Sequence, residues 1–170
     1  YKIGTVVLIK QLNKLPDGIT SVMVEAKNKA EILTLYEDGK YFEGDIKEIP
    51  QEENLLSENE EEAFVRELKE TIRKYDATNH GLTEQGIRNV MRINNLSTLM
   101  EQLLLRIKVD FRVKQEYLEK NDLVSKFETV MSFLRKENEI GQIRADIIEK
   151  VKERLDKSQR EHILREQIQV

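Results

Sequence analysis

Residues 121–170, NDLVSKFETVMSFLRKENEIGQIRADIIEKVKERLDKSQREHILREQIQV, decide how the rest of the chain is read. The stretch holds no proline and a single glycine, Gly141. Leu123, Phe127, Val130 and Leu134, then Ile140, Ile143, Ile147, Val151 and Leu155, recur at three- and four-residue steps. That spacing sets them on one side of an α-helix, with Asn121 or Asp122 as its cap. At about 1.5 Å per residue, a helix over 123–168 is about 70 Å long, more than the width of a small domain. It cannot cover its own stripe. Side chains of this kind left in water forgo about 1.5–3 kcal/mol each, so the set rivals the roughly 5–15 kcal/mol that holds a whole domain folded. The rest of the chain, or a partner, has to cover it. The polar run Arg135, Lys136, Glu137, Asn138 and Glu139 shifts the stripe's register just before Gly141. An unbroken heptad seam is thereby disfavoured. A bend is expected at the glycine, with the first half packed and the second projecting.

Composition narrows the rest. In 170 residues, 28 Lys and Arg face 32 Asp and Glu, a net charge of -4, which argues against a general nucleic-acid binder. There is no cysteine, which excludes disulfides and thiolate metal sites. No apolar run approaches membrane-spanning length, and the first residues do not read as a signal peptide. A cytoplasmic location without a membrane partner is the expectation. The chain opens with Tyr1-Lys2-Ile3-Gly4 and passes straight into Val6-Val7-Leu8-Ile9. A run apolar on both faces reads as an interior strand that needs neighbours on both sides. The sequence is therefore expected to begin partway through a domain.

Working outward from the long helix, residues 5–49 read as β, with strands expected at 5–12, 19–25, 30–37 and 40–49. Pro16-Asp17-Gly18 makes a turn, because proline pre-sets φ and glycine accepts a positive one. Asp38-Gly39 is a short hairpin signal. Residues 50–57 form a linker. Ser57-Glu58-Asn59-Glu60 is a capping box opening a helix that carries Phe64, Leu68 and Ile72 and ends near Tyr75. After a polar turn at 76–81, a second helix is expected over about 83–93. Thr98-Leu99-Met100-Glu101 reads as another capping box, for a third helix through Leu103, Leu104 and Ile107. Asp110 starts a fourth through Val113, Tyr117 and Leu118. The fold class is α+β: an incomplete β-sheet subdomain over 1–50, a helical bundle over 51–121, and one long protruding helix over 122–170.

No catalytic chemistry emerges from the residues. Gly81 and Gly86 have part of a phosphate-loop spacing, but Ile87-Arg88 stand where lysine and a hydroxyl residue are needed. The run from Asp76 to Gly81 starts like a calcium loop, yet its twelfth position is Ile87 where a bidentate glutamate belongs. His80 and His162 lack second ligands at metal-binding spacing. Ser57 and Ser97 read as helix caps, not nucleophiles. Glu58, Glu60, Glu61 and Glu62 suit a solvated first helical turn.

The ending Gln159-Arg160-Glu161-His162-Ile163-Leu164-Arg165-Glu166-Gln167 resembles the Q-R-E-Y-x-L-R-E-Q segment of the Lon family of ATP-dependent proteases. Tyr1-Lys2-Ile3-Gly4-Thr5-Val6 is similar to the family's Y-x-V-G-T-V strand start. Leu15-Pro16-Asp17-Gly18 with Val22-Met23-Val24-Glu25 is similar to its L-P-D-G…V-L-V-E-G pattern. The stretch from Leu99 to Leu105, followed by Lys114-Gln115-Glu116-Tyr117-Leu118-Glu119, resembles L-A-D-x-I-A…K-Q-x-L-L-E. Departures are Ala26 and Lys29, where the family usually has glycine and arginine, and His162 in place of the usual aromatic.

The resemblance implies the non-catalytic N-terminal region of a Lon-like ATP-dependent serine protease. Further strands are expected upstream, and the nucleotide-binding and Ser-Lys protease modules downstream. This chain would then need no cofactor, catalytic residue or metal of its own, ATP and magnesium belonging to the full-length enzyme. The implied partners are unfolded or damaged polypeptides and, in the full-length enzyme, other copies in a hexamer. Substrate engagement needs apolar surface offered to unfolded segments. Leu12, Leu15 and Pro16 at one hairpin and Tyr41 and Phe42 near another are the candidate contacts. Phe127, Met131, Leu134, Ile143, Ile147 and Val151 on the long helix are the candidates for packing and assembly. The rival reading is a purely structural module whose helix never touches substrate. A nucleic-acid surface over Arg144, Lys150, Lys152 and Arg154 is not indicated, because Asp146, Glu149 and Glu153 interleave with those charges.

Overall fold

The computed structural model describes residues 1–169. Three strands precede five helices: β1 (Ile3–Lys14), β2 (Thr20–Tyr36), β3 (Glu43–Ile49), α1 (Glu58–Asn79), α2 (Glu84–Met91), α3 (Leu96–Arg106), α4 (Phe111–Glu119) and α5 (Leu123–Ile168). The α+β class read from the sequence holds. The chain divides into two units: Tyr1–Leu55 with Lys114–Lys126, and Leu56–Val113 with the residues from Phe127 onward.

The first unit is an antiparallel sheet of order β1-β2-β3. Three strands replace the four expected, because residues 19–25 and 30–37 belong to one strand of 17 residues. Nothing between them forces a turn: Ala26-Lys27-Asn28-Lys29 holds neither glycine nor proline. The irregularity is taken up by bulges. Val6 faces Asn28 and Val7 faces Ala26, which leaves Lys27 as the extra residue; Lys10 and Leu33 are extra at the two other register shifts. The last strand begins at Glu43, so residues 40–42 lie in the loop and not in the strand. Ala30 is the buried apolar residue of the sheet. Beside it, the segment 114–126 is tied on by two hydrogen bonds: Gln115 Nε2 donates to the Ile3 carbonyl (2.9 Å) and Lys29 Nζ to the Lys120 carbonyl (2.8 Å). Burial there, together with the Lys126 ammonium, pushes the Lys29 ammonium below its ordinary pKa, while Glu119 opposes the shift.

The second unit has a conventional helical core. Val65, Leu68, Ile72 and Tyr75 from α1 are buried with Val90 from α2, with Leu96, Leu99, Met100 and Leu103 from α3, and with Val130, Met131 and Leu134 from α5. The capping box at Ser57 is present in both halves: Glu60 N donates to Ser57 Oγ (3.2 Å) and Ser57 N to Glu60 Oε2 (2.9 Å). α1 runs past Tyr75 to Asn79, one turn further than its apolar spacing indicates, and stops where His80 takes a left-handed φ of 50°. The expected polar turn is thus mostly helix. α2 is shorter than expected, with Thr83 as its N-cap. The cap of α3 is Asn95, whose side chain accepts from Thr98 N (2.9 Å), so Thr98 and Ser97 lie inside the helix and cap nothing. An asparagine in the preceding turn competes better for the free N–H groups than a threonine already in helical backbone. Ile107 is extended and closes α3 instead of continuing it.

Glu61 is the other correction. Its Oε1 accepts the backbone N–H of Leu96 (3.0 Å), joining the first turn of α1 to the start of α3 instead of standing in solvent. An N–H of a first helical turn has no partner within its own helix, and a carboxylate satisfies it well.

α5 is one continuous helix of 46 residues, about 70 Å at about 1.5 Å per residue. Asp122 caps it, with Oδ1 accepting from Ser125 N (2.7 Å); the Ser125 side chain's hydrogen bond, followed by that N–H, holds the Asp122 carboxyl below its ordinary range. The helix runs unbroken through Gly141. That glycine is buried, and a Cβ built on it would lie 2.4 Å from Thr78 Cγ2 and 3.1 Å from Asn79 Oδ1. It serves close approach of α5 to the end of α1. From 142 to 169 no residue is buried.

Candidate functional site

The hairpin joining β1 and β2 is closed by its own backbone. Leu15 N donates to Ile19 O (2.8 Å), Gly18 N donates to Leu15 O (3.1 Å), and the Asp17 carboxylate accepts from Ile19 N (3.1 Å). Gly18 has φ 82°, a conformation open to glycine and strained for most other residues. These bonds close the turn, and the apolar side chains around it face out. Leu12 is 54% exposed and Leu15 45%, with Pro16 and Ile19 also exposed.

The loop between β2 and β3 spans residues 37–42 and leaves Tyr41 69% and Phe42 72% exposed. Tyr36, Asp38, Gly39, Lys40, Tyr41 and Glu43 line a shallow concavity at this end. Tyr36 Oη donates to Asp45 Oδ2 (2.8 Å), and that carboxylate raises the phenol above its ordinary pKa. The hydrogen bond fixes the strand end from which the loop departs.

The structure keeps the two groups of candidate contacts apart. β2 runs from Thr20 to Tyr36, so Leu12, Leu15 and Pro16 lie at one end of it and Tyr41 and Phe42 at the other. Between them Met23, Val24, Leu33 and Leu35 are exposed as well, which the sequence reading did not single out; Met23 and Val24, consecutive in the strand, point to opposite faces of the sheet. Alternation along a strand says which residues share a face, but not whether anything covers that face. Midway, Glu25 pairs with Lys10 (2.7 Å) and with Lys27, and the two ammonium groups hold its carboxyl below the ordinary value.

The six residues singled out on α5 divide. Met131 and Leu134 are buried in the helical unit, and Phe127 meets Phe64 edge to face, centroids 4.7 Å apart at 81°. Arg135, the first residue of the polar run before Gly141, also pairs with Glu67 of α1 (3.5 Å). Ile143, Ile147 and Val151 are each about half exposed. Among the described residues, no cluster of three or more His, Asp or Glu gathers as a metal site, and no helix is long and apolar enough to cross a membrane.

An antiparallel sheet with apolar hairpin ends, followed by a helical unit with one extended helix, is a fold already seen in a solved structure. The N-terminal domain of Mycobacterium avium complex Lon protease superposes with a TM-score of 0.61 at 18% identity, covering 79% of this chain and 70% of that one. The sequence model of the ATP-dependent protease La (LON) substrate-binding domain matches residues 1–136, and the chain belongs to that family. Similar relatives include the Lon proteases of Lachnoclostridium phytofermentans, 32% identical over all 170 residues, and of Escherichia coli K12, 29% identical over 168 residues. The chain spans about a fifth (21%) of the length of each of these relatives.

Proposed function

We propose that this chain engages unfolded or damaged polypeptide for a Lon-type ATP-dependent protease, using the apolar hairpin ends of its sheet, and cuts nothing itself. The observation that carries the reading is the exposure of Leu12, Leu15, Tyr41 and Phe42 at the hairpin ends of a sheet, inside the part matched by the family's substrate-binding domain. Apolar surface of this kind is costly to leave in water, and extended apolar segments of other proteins are suited to cover it. Hydrolysis of ATP, with its magnesium, and peptide cleavage then belong to the remaining four fifths of a full-length enzyme, working in the cytoplasm.

Titrating the chain with a permanently unfolded model protein tests this. Saturable binding without ATP or peptide hydrolysis is expected. No binding at concentrations of several hundred micromolar, on the order of 5 kcal/mol or less of affinity, removes the reading.

A second role is supported by the half-exposed Ile143, Ile147 and Val151 on α5, which suit contacts between copies in a hexamer. Ile147→Asp in the full-length enzyme is expected to weaken assembly and leave binding by the isolated chain intact. Leu15→Ser is expected to do the reverse. If Leu15→Ser and Tyr41→Ser both leave binding unchanged, the chain is an assembly module alone.

A further inference from the structure

We infer that Asp38-Gly39, in the loop between β2 and β3, is a site of self-modification where aspartate converts to β-linked isoaspartate, while Asp17-Gly18 in the other hairpin is protected by its own turn. The inference does not depend on the polypeptide-binding reading above.

The chemistry needs an aspartate followed by a residue with no side chain in the way. The next backbone nitrogen attacks the side-chain carboxyl carbon, Cγ. A C–N bond forms, a C–O bond breaks, and the N–H proton leaves with the hydroxyl as water, closing a succinimide ring. Water then adds back at either ring carbonyl. Addition at Cγ restores aspartate. Addition at the main-chain carbonyl carbon leaves the backbone running through the side chain, with a free carboxylate on Cα. One water leaves and one returns, so composition and oxidation state are unchanged, and the backbone gains one methylene.

Two aspartates of the sequence precede a glycine, Asp17 and Asp38, and no asparagine does. All four residues are exposed, so access to water does not separate the pairs. Hydrogen bonding does. At the first pair, the attacking nitrogen, Gly18 N, donates to Leu15 O (3.1 Å), and the attacked carboxylate of Asp17 accepts from Ile19 N (3.1 Å). Giving up two such bonds, at their usual net worth, slows ring closure by about 5–150-fold. At the second pair, neither Asp38 nor Gly39 takes part in a hydrogen bond or ion pair among the described residues. Gly39 does not take the positive φ that Gly18 takes, so no special turn geometry holds it. Both reacting groups are free to meet. The pairing of Tyr36 with Glu43 pins the ends of the loop, so the added methylene is taken up by residues 37–42, Tyr41 and Phe42 among them. The new carboxylate on Cα is the group that isoaspartate-specific carboxyl methyltransferases esterify with S-adenosylmethionine, which defines the class of enzyme that would act on the product.

The experiment ages the full folded chain at neutral pH and physiological temperature. Isoaspartate is counted by methyl transfer from labelled S-adenosylmethionine with such a methyltransferase, and placed by electron-transfer fragmentation of the digested chain. Accumulation at position 38 is expected to be at least about fivefold faster than at position 17, and the two rates should converge in a chain held unfolded in urea. Asp38→Asn closes the same ring with ammonia leaving in place of water, and should accumulate isoaspartate faster still. Gly39→Ala is accommodated, because its Cβ would meet nothing nearer than Tyr41 O at 3.6 Å and no positive φ is required, yet it should lose most of the signal at position 38. Circular dichroism confirms that the variants are folded. Equal rates at the two positions in the folded chain overturn the inference. So does a ratio that unfolding leaves unchanged, since the turn then protects nothing, or a Gly39→Ala chain that ages as fast as the original.

Discussion

Replacing Gly141 by alanine tests whether α5 is packed on α1 as closely as described. In an exposed helix this change stabilises by about 1 kcal/mol, because alanine has less backbone freedom to lose. Here the new methyl lies 2.4 Å from Thr78 Cγ2, where carbon atoms normally approach to about 3.5–4.0 Å. The neighbours are not free to retreat. Thr78 Oγ1 donates to the Lys74 carbonyl (2.9 Å), and Asn79 Nδ2 donates to the Tyr75 carbonyl (3.2 Å). Either those bonds break or the helices part, and forced overpacking costs about 1–3 kcal/mol, occasionally more. The net expectation is a loss of about 1–2 kcal/mol, read as a lower urea midpoint of the helical circular dichroism signal. Thr78→Ser removes Cγ2 and keeps the hydroxyl. On that background Gly141→Ala should be neutral or stabilising, giving a coupling of about 1–3 kcal/mol in the double-mutant cycle. A stabilising Gly141→Ala in the unaltered chain, with no coupling to Thr78, refutes the close approach.

Three further outcomes follow from the hydrogen bonds and titrating groups of the helical unit. Ser57→Ala should cost about 1 kcal/mol in urea unfolding, with faster hydrogen exchange confined to the first turn of α1, since only the capping box is lost. Glu61→Ala leaves the N–H of fully buried Leu96 without its carboxylate and should cost about 1–3 kcal/mol, whereas Glu61→Gln, which keeps an acceptor, should recover most of that loss. Burial, with smaller contributions from Glu137 and Asp76, raises the Tyr75 phenol above its ordinary value of 10.0. The unfolded chain therefore releases the proton first, so this contribution is fully present below pH 10.0 and fades as pH rises through the folded value. Urea midpoints should fall above that pH in the unaltered chain and fall less steeply in Tyr75→Phe.

The sequence by itself determined the elements whose causes are local. The 3.6-residue recurrence along α5, the capping box at Ser57 and the Pro16-Asp17-Gly18 turn are each set by a few neighbouring residues competing for backbone groups or for one face of a helix. A resemblance spread over the whole chain then pointed to the family to which the matched residues 1–136 belong.

The tertiary structure decided whatever depends on atoms distant in sequence. Gly141 looked like a helix breaker because glycine weakens an isolated helix, and became a contact point because Thr78 leaves no room for a side chain. Glu61 looked like a solvated charge until α3 brought an unsatisfied N–H to it from 35 residues away. Residues 19–25 and 30–37 looked like two strands, because a bulge that absorbs one extra residue is fixed by the partner strand's register and not by local composition. The separation of the two apolar hairpin ends has the same origin: periodicity ranks residues along a chain, and only strand pairing says which of them meet.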